Sequence, residues 1–355
     1  MRFYDALQMD PSVLKGAIRR SEDRRERWSL RLALVLRSAL IVLFAIVLIS
    51  LASWIFGADN TPMAVVLFCV LLSVRFVDLD YHIGDSLAAL AVTFVLLLLA
   101  PVLAASLPPL AAAAVHCLSL FAIFFLTCQR PEWGNGGLYN FAYIYLSGST
   151  VTGEALVRRA WLTLAGYLLC AVILFAKHRH KHRETRFHHV LGRSDRSDPA
   201  HLWRLRLSLG IGLALALGQA LQVERAMWMG FACGSLLAAY PYSPSVVERS
   251  WQRLLGAAAG CGAFFLLYQL TPEALHPLMG PLGGFCLGFC TDYRFKTMFN
   301  CFGALMLAAG LYGVPGAVAL RLWDTLLGVG FALAFSFLFH RLVAAGRLEQ
   351  AAAAE

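Results

Sequence analysis

Charge is what this sequence has least of. Of its 355 residues only 14% are Asp, Glu, Lys or Arg, against 59% apolar, and the mean hydropathy is +0.66. A soluble domain carries about a quarter of its residues charged, so the composition excludes one and leaves a polytopic membrane protein. Segments of about ten residues with alternating polarity, the mark of a spanning barrel, are missing too. The first thirty residues lack a short apolar core ending in a small-residue cleavage site. Instead "GAIRRSEDRRERW" is mixed and charged, and no cleaved signal peptide is expected. No Gly-Lys-Ser or Gly-Lys-Thr loop accompanies the glycine-rich stretches "GAAAGCGAFF" and "GPLGGFCLGF", which argues against direct drive by ATP. Those glycines suit close helix packing in lipid. With no convincing nucleophile constellation or metal site, neither enzymatic activity nor a cofactor is expected.

Nine cysteines lie almost entirely inside apolar runs, where a thiol behaves as a small hydrophobe. Cys286 and Cys290 share a helix face, but no second pair stands near them in sequence, so packing outweighs a metal or disulfide reading.

What is abundant is apolar length. Runs of about 17–25 residues, enough to cross a hydrocarbon layer of about 30 Å as helix, recur from end to end. Twelve spans are expected, near 33–56, 61–77, 84–106, 109–128, 138–150, 154–176, 204–222, 226–242, 249–270, 274–290, 297–312 and 316–342. With the N-terminus inside, the inside connections collect Arg19, Arg20, Arg24, Arg25, Arg27, Arg75, Arg130, the 177–206 stretch, Arg249, Arg253, Arg294, Lys296, Arg341 and Arg347. The outside ones are nearly bare, as the positive-inside rule requires. Arg158, Arg159, Arg225 and Arg321 break the rule. Topology thus accounts for most of the net charge of +9, and a nucleic-acid partner is not expected.

The chain also resembles itself. "VRRAWLTLAGYLLCAVILF" (157–175) aligns with "LRLWDTLLGVGFALAFSFLF" (320–339), matching Arg159 with Arg321, Trp161 with Trp323, Thr163 with Thr325 and Gly166 with Gly328. "LYNFAY" pairs Asn140 with Asn300 of "MFNCFG", and the segment 61–75 resembles 225–239 through Met63 and Met227. The expected fold is therefore all-α, with about twelve transmembrane helices in two six-helix repeats. Six is even, so the repeats are parallel about the membrane normal. The expected organisation is a cytoplasmic segment 1–30, a first repeat 31–176, a basic His-rich linker 177–202, a second repeat 203–343 and a cytoplasmic tail 344–355.

The stretch "ERAMWMGFACGSLLAAYPYSPSVVERSWQRLLGAAAGC" (224–261), followed after two spans by "LRLWDTLLG", resembles the fusaric acid resistance and aromatic acid exporter family. Plant aluminium-activated malate channels resemble the same module. The likeness is carried by Trp228, Pro241, Pro244, Arg253, Gly256 and Gly260, then by Arg321, Asp324 and Gly328. The first copy lacks the "QRLLG" signature, and the large cytoplasmic domain common in such exporters is missing. The resemblance implies export of organic anions, often aromatic carboxylates, across a bacterial inner membrane beside a periplasmic adaptor of the membrane-fusion type. The plant channels further imply a pore between two six-span units, here fused in one chain. Self-association of the chain is left open.

Several residues become candidates for chemistry. An ionised side chain inside a span costs about 2.5 kcal/mol or more and normally faces a bundle interior or cavity. Arg321 and Asp324, three apart, share a helix face. They read either as anion attractor and proton-coupling group or as a structural ion pair at the interface, with Arg159 the counterpart of Arg321 and Trp161 and Trp323 beside them. Asp324 faces Leu162 in the repeat and so acts asymmetrically. Arg294 and Lys296 ahead of Asn300, echoed by Arg130 and Asn140, would form a basic ring of the kind that selects anions, unless they merely follow the positive-inside rule. Arg75, Asp78, Asp80, His82, Asp85, Glu248, Arg249 and Arg253 would line an inner vestibule or serve as loop charges. Five histidines (His178, His180, His182, His188, His189) suggest a metal sensor, but the Lys and Arg between them would repel a cation, and contact with anionic lipid headgroups is the better reading. The leading expectation is a proton-coupled exporter of an aromatic carboxylate. The alternatives are a passive anion channel and a non-transporting scaffold subunit of an envelope complex.

Overall fold

The computed structural model describes residues 3–192, 199–239 and 246–352, and among the described residues it holds helices and turns and no strand. In chain order the helices are α1 (Phe3–Gln8), α2 (Pro11–Arg20), α3 (Arg24–Phe56), α4 (Thr61–Val74), α5 (Ile83–Ala105), α6 (Pro109–Thr127), α7 (Asn135–Ser147), α8 (Gly153–His178), α9 (Phe187–Gly192), α10 (Pro199–Ala220), α11 (Ala226–Leu237), α12 (Val246–Leu270), α13 (Met279–Leu287) and α14 (Tyr293–Ala352). Local chemistry sets their ends. Asp10 caps α2 by accepting from the Ser12 backbone N–H at 2.8 Å, and Pro109 opens α6 where its missing N–H costs nothing. α14 is interrupted at Gly313, whose φ of 66° and ψ of 165° leave the helical region two residues before Pro315.

Seven of these helices, α3, α5, α6, α8, α10, α12 and α14, are long and apolar enough to span a membrane. Each of the twelve expected spans falls on helix, but not all as full spans. Those at 61–77, 138–150 and 226–242 contain helices of 14, 13 and 12 residues. That is about 18–21 Å at about 1.5 Å per residue, short of the hydrocarbon thickness. The span at 274–290 is a short 3-10 turn, Glu273–Leu278, followed by the nine-residue α13. The last two spans are the two arms of α14 on either side of Gly313.

The chain forms two compact units, one of Met1–Leu48 with Glu248–Trp323 and one of Ile49–Val247 with Asp324–Glu355. In the first, Ala6 and Leu14 of the amphipathic α1 and α2 pack on Leu30, Ala33 and Leu34 of α3. Gly256 and Gly260 let α12 lie directly on α14: a Cβ at these positions would stand 2.5 Å from the Arg294 carbonyl oxygen and 2.4 Å from that of Met298. Two glycines four apart facing two carbonyls four apart is the geometry by which small residues bring helices together in lipid.

In the second unit α10 packs against α6 and α11, α5 lies against α6 and α8, α4 against α8, and α7 against α11. Of the most apolar window of α10, 67% is buried, against 17% for α3. α10 is therefore a core element, while α3 turns most of a highly apolar surface outward, as only lipid would favour.

The glycine contact yields a prediction. Gly260→Ala should destabilise the detergent-solubilised protein by about 1–3 kcal/mol, because the added methyl forces two backbones apart. Gly262→Ala on the same helix, with nothing within 4 Å of the new Cβ, should be neutral or slightly stabilising. Thermal unfolding of the two variants side by side is the measurement.

Candidate functional site

Arginines are among the most deeply buried ionisable side chains here, and their acceptors explain how. Arg159 on α8 is 2% exposed. Its Nε donates to Asn60 Oδ1 at 3.0 Å, Nη1 to the Ser149 carbonyl at 2.8 Å and Nη2 to the Asp59 carbonyl at 2.9 Å. Asn60, fully buried, donates in turn to the carbonyls of Phe56 and Ala155. Arg159 is thus a clasp that joins the end of α7 to the turn before α4. Arg204 and Arg206 of α10 repeat the device, donating to the Cys128 carbonyl just past α6 at 3.0 Å and to the Leu237 carbonyl at the end of α11 at 2.9 Å. These two belong to the stretch expected as inside connection. The helix instead begins at Pro199 and carries both into the core.

The repeat marks are buried alike, position for position. Arg159 and Arg321, Leu162 and Asp324, Thr163 and Thr325, and Gly166 and Gly328 are all buried, while Trp161 and Trp323 are both exposed. The matched glycines also press on matched helices. A Cβ at Gly166 would meet the Leu67 side chain of α4, and one at Gly328 would stand 2.3 Å from the Met229 carbonyl oxygen of α11. Asn140 and Asn300 do not correspond in this way: Asn140 is buried beside Gly234, whereas Asn300 is exposed.

Within the first unit two sequence candidates meet. Arg253 of α12 and Arg321 of α14 are 6% and 4% exposed. The Cys301 thiol donates to the Thr297 carbonyl at 3.4 Å, and Arg321, Arg253 and the free thiol of Cys261 all lie near it. Asp324, 1% exposed, follows Arg321 one turn along α14. Two guanidiniums and two thiols thus gather among apolar helices, an arrangement that favours an anion. Cys261 and Cys301 were legible only as hydrophobes in apolar runs.

The remaining candidates lie apart from that cluster or at the surface. Arg294 and Lys296 are exposed. Arg130 pairs with Asp80 at 3.1 Å. Pro241 and Pro244 lie outside the described residues.

The histidine-rich linker is folded onto the loop between α4 and α5. Lys181 Nζ stands 3.0 Å from Asp78 Oδ2, His182 Nε2 lies 3.3 Å from Asp78 Oδ1 and 3.4 Å from Asp80 Oδ1, the His82 backbone N–H donates to the Thr185 carbonyl at 2.7 Å, and the Phe187 N–H donates to Asp85 at 3.0 Å. Burial alone would raise the Asp78 carboxyl, but hydrogen bonds from Lys181 and the Asp80 N–H, with the charges of Lys181 and His182, hold it below the usual carboxylate range. Burial raises Asp80, with Arg130 opposing and Asp78 reinforcing the shift.

The clasp separates charge from shape. Arg159→Lys keeps the cation, but a single ammonium cannot serve three acceptors spread around a guanidinium. Since an abandoned buried acceptor costs about 1–3 kcal/mol, Arg159→Lys and Arg159→Ala should both lower stability by about 2–4 kcal/mol, as measured by chemical unfolding in detergent.

Residues 213–335, from within α10 to within α14, match the family described as fusaric acid resistance protein-like. No curated protein and no solved structure matches the chain. The matched stretch contains Trp228, Arg253, Gly256, Gly260, Arg321, Asp324 and Gly328, so the residues that pack α12 on α14 and lie near Cys301 fall where this multi-pass membrane protein is similar to that family.

Proposed function

We propose that this protein is a secondary transporter that exports organic anions, of the aromatic carboxylate class, from the bacterial cytoplasm across the inner membrane, with both termini cytoplasmic. The reading is carried by one observation: Arg253 of α12 and Arg321 of α14, two cations, are both buried among apolar helices. A carboxylate held between two guanidiniums would pair with both, bidentate with at least one. In this reading Arg321 and Arg253 bind the substrate carboxylate, Asp324 carries the coupling proton, and Arg159 holds the fold of its own half. The exposed Arg294 and Lys296 gather anions at the inner mouth. A membrane-fusion adaptor would continue the route beyond the inner membrane.

The fully buried Asp324 favours coupled transport over a passive channel, which has no need of a proton-binding acid in the membrane. In proteoliposomes with an imposed pH gradient, Asp324→Asn is expected to abolish uphill accumulation of aromatic acids while leaving downhill exchange. Arg321→Ala is expected to lower both by about tenfold or more, the loss of a charge-assisted pair worth about 1.5–3 kcal/mol. Uphill transport that survives in the asparagine variant would take the coupling role from Asp324, downhill flux alone in the unaltered protein would make it a channel, and unchanged flux in Arg321→Ala would leave a scaffold.

A further inference from the structure

The five-histidine tract and the acidic loop after α4 are far apart in sequence, yet two parts of them face one another. Asp78 Oδ1, Asp80 Oδ1 and His182 Nε2 lie within 4.8 Å of each other. His182 Nε2 is 3.3 Å from one oxygen and 3.4 Å from the other, and neither approach is an aligned hydrogen bond, since Asp80 Oδ1 is buried and accepts none. An ion with bonds of about 2.0–2.1 Å in tetrahedral geometry sets its ligands about 3.3–3.4 Å apart.

A second observation comes from His178. It is 6% exposed, and its Nε2 lies 3.0 Å from the Val74 carbonyl. With the proton on that nitrogen, Nδ1 presents a bare lone pair. This Nδ1 is buried, has no hydrogen-bond partner and sits 3.8 Å from Asp78 Oδ2. Lys181 Nζ, 3.0 Å from the same Asp78 oxygen, offsets the lone pair there, so the buried Nδ1 stands beside the carboxylates as an unused donor atom.

We infer that Asp78, Asp80 and His182 form a binding site for a divalent transition metal, of the zinc class, that fastens the linker after α8 to the loop between α4 and α5. Two carboxylate oxygens and one imidazole nitrogen are the donors of such an ion, and the imidazole disfavours calcium and magnesium. A fourth position stays open to water or to His178. Lys181 on the outer oxygen of Asp78 orients that carboxylate and holds it ionised, as partners behind metal ligands do. Arg130 shares Asp80 Oδ1, but its side chain is 50% exposed and swings into water as the ion arrives. Of the basic residues along the tract, Lys181 takes the other oxygen of Asp78, Arg186 pairs with Asp85, and Arg179 and Arg183 contact His180.

The test uses the full chain in detergent, stripped with chelator and titrated with Zn2+ or Co2+ alone. About one equivalent should bind, and Co2+ should give the visible bands of a tetrahedral site. His182→Ala and Asp80→Asn should each weaken binding by about tenfold or more and remove those bands. Changing both His188 and His189, whose rings meet edge to face with centroids 4.2 Å apart elsewhere on the linker, to Ala should change neither. Limited proteolysis gives a reading that survives weak binding: Zn2+ should slow cleavage between residues 178 and 186 in the unaltered protein but not in His182→Ala. Equal binding by the unaltered protein and His182→Ala, loss confined to the His188 and His189 variant, or no binding at all would overturn the site and leave His182 as an ion-pair partner only.

Discussion

A helix that stops short of the membrane surface leaves its last carbonyls without partners, and water is not at hand to take them. α7 and α11, of 13 and 12 residues, are of this kind. The answer here is arginine. Its guanidinium offers five donors in a rigid fork and keeps its charge when buried, so one side chain can satisfy several acceptors and complement the negative end of a helix. Arg159, Arg204 and Arg206 each do so at the end of α7, α6 or α11, and all three are nearly or fully buried. Without them the half-length helices would be the costliest parts of the fold.

That use of arginine sets two groups of cations apart. Where the donors are spent on carbonyls, as in Arg159, the charge is structural and nothing is left to attract a ligand. Where guanidiniums gather near a thiol, as Arg253 and Arg321 do near Cys301, a bound anion would find donors on more than one side. The matched segments 157–175 and 320–339 thus share a burial pattern but differ in chemistry. The matched glycines and tryptophans keep the helix packing and the outward face in both. Leu162 against Asp324 marks where the copies differ in chemistry.

Much of this was legible in the residues. Apolar runs located every long helix, the Arg, Trp, Thr and Gly marks of the repeat have matching burial, and Gly256 and Gly260 sit on the close helix contact that glycine spacing suggests. Helix length within an apolar run was not legible, because hydropathy reports where lipid or core is acceptable and not where a chain turns back inside. Asn60 was missed for a related reason: one asparagine between two spans looks like any loop residue, and only the carbonyls around it show its task. Arg204 and Arg206 looked like topology signals because position in a basic stretch says nothing of which helix end lies within reach.

The linker shows most plainly why composition misleads for short tracts. Averaged over "KHRHKHRETRFHH" the charge is positive, and an anionic lipid surface is the natural partner. The fold breaks that average into individual positions. Lys181 and Arg186 turn to Asp78 and Asp85, the Phe187 ring packs against Tyr81 and Phe125, and His182 is left between two carboxylates. Both Asp80 and His182 have positive φ, 62° and 47°, a conformation most side chains avoid and aspartate tolerates better than most. Tertiary contacts, and not local preference, therefore fix the backbone where the linker meets the loop. A segment that reads as a solvated tether is held by its own side chains against the membrane helices, and any signal that loosens those contacts would be felt at the head of α5 and the end of α8.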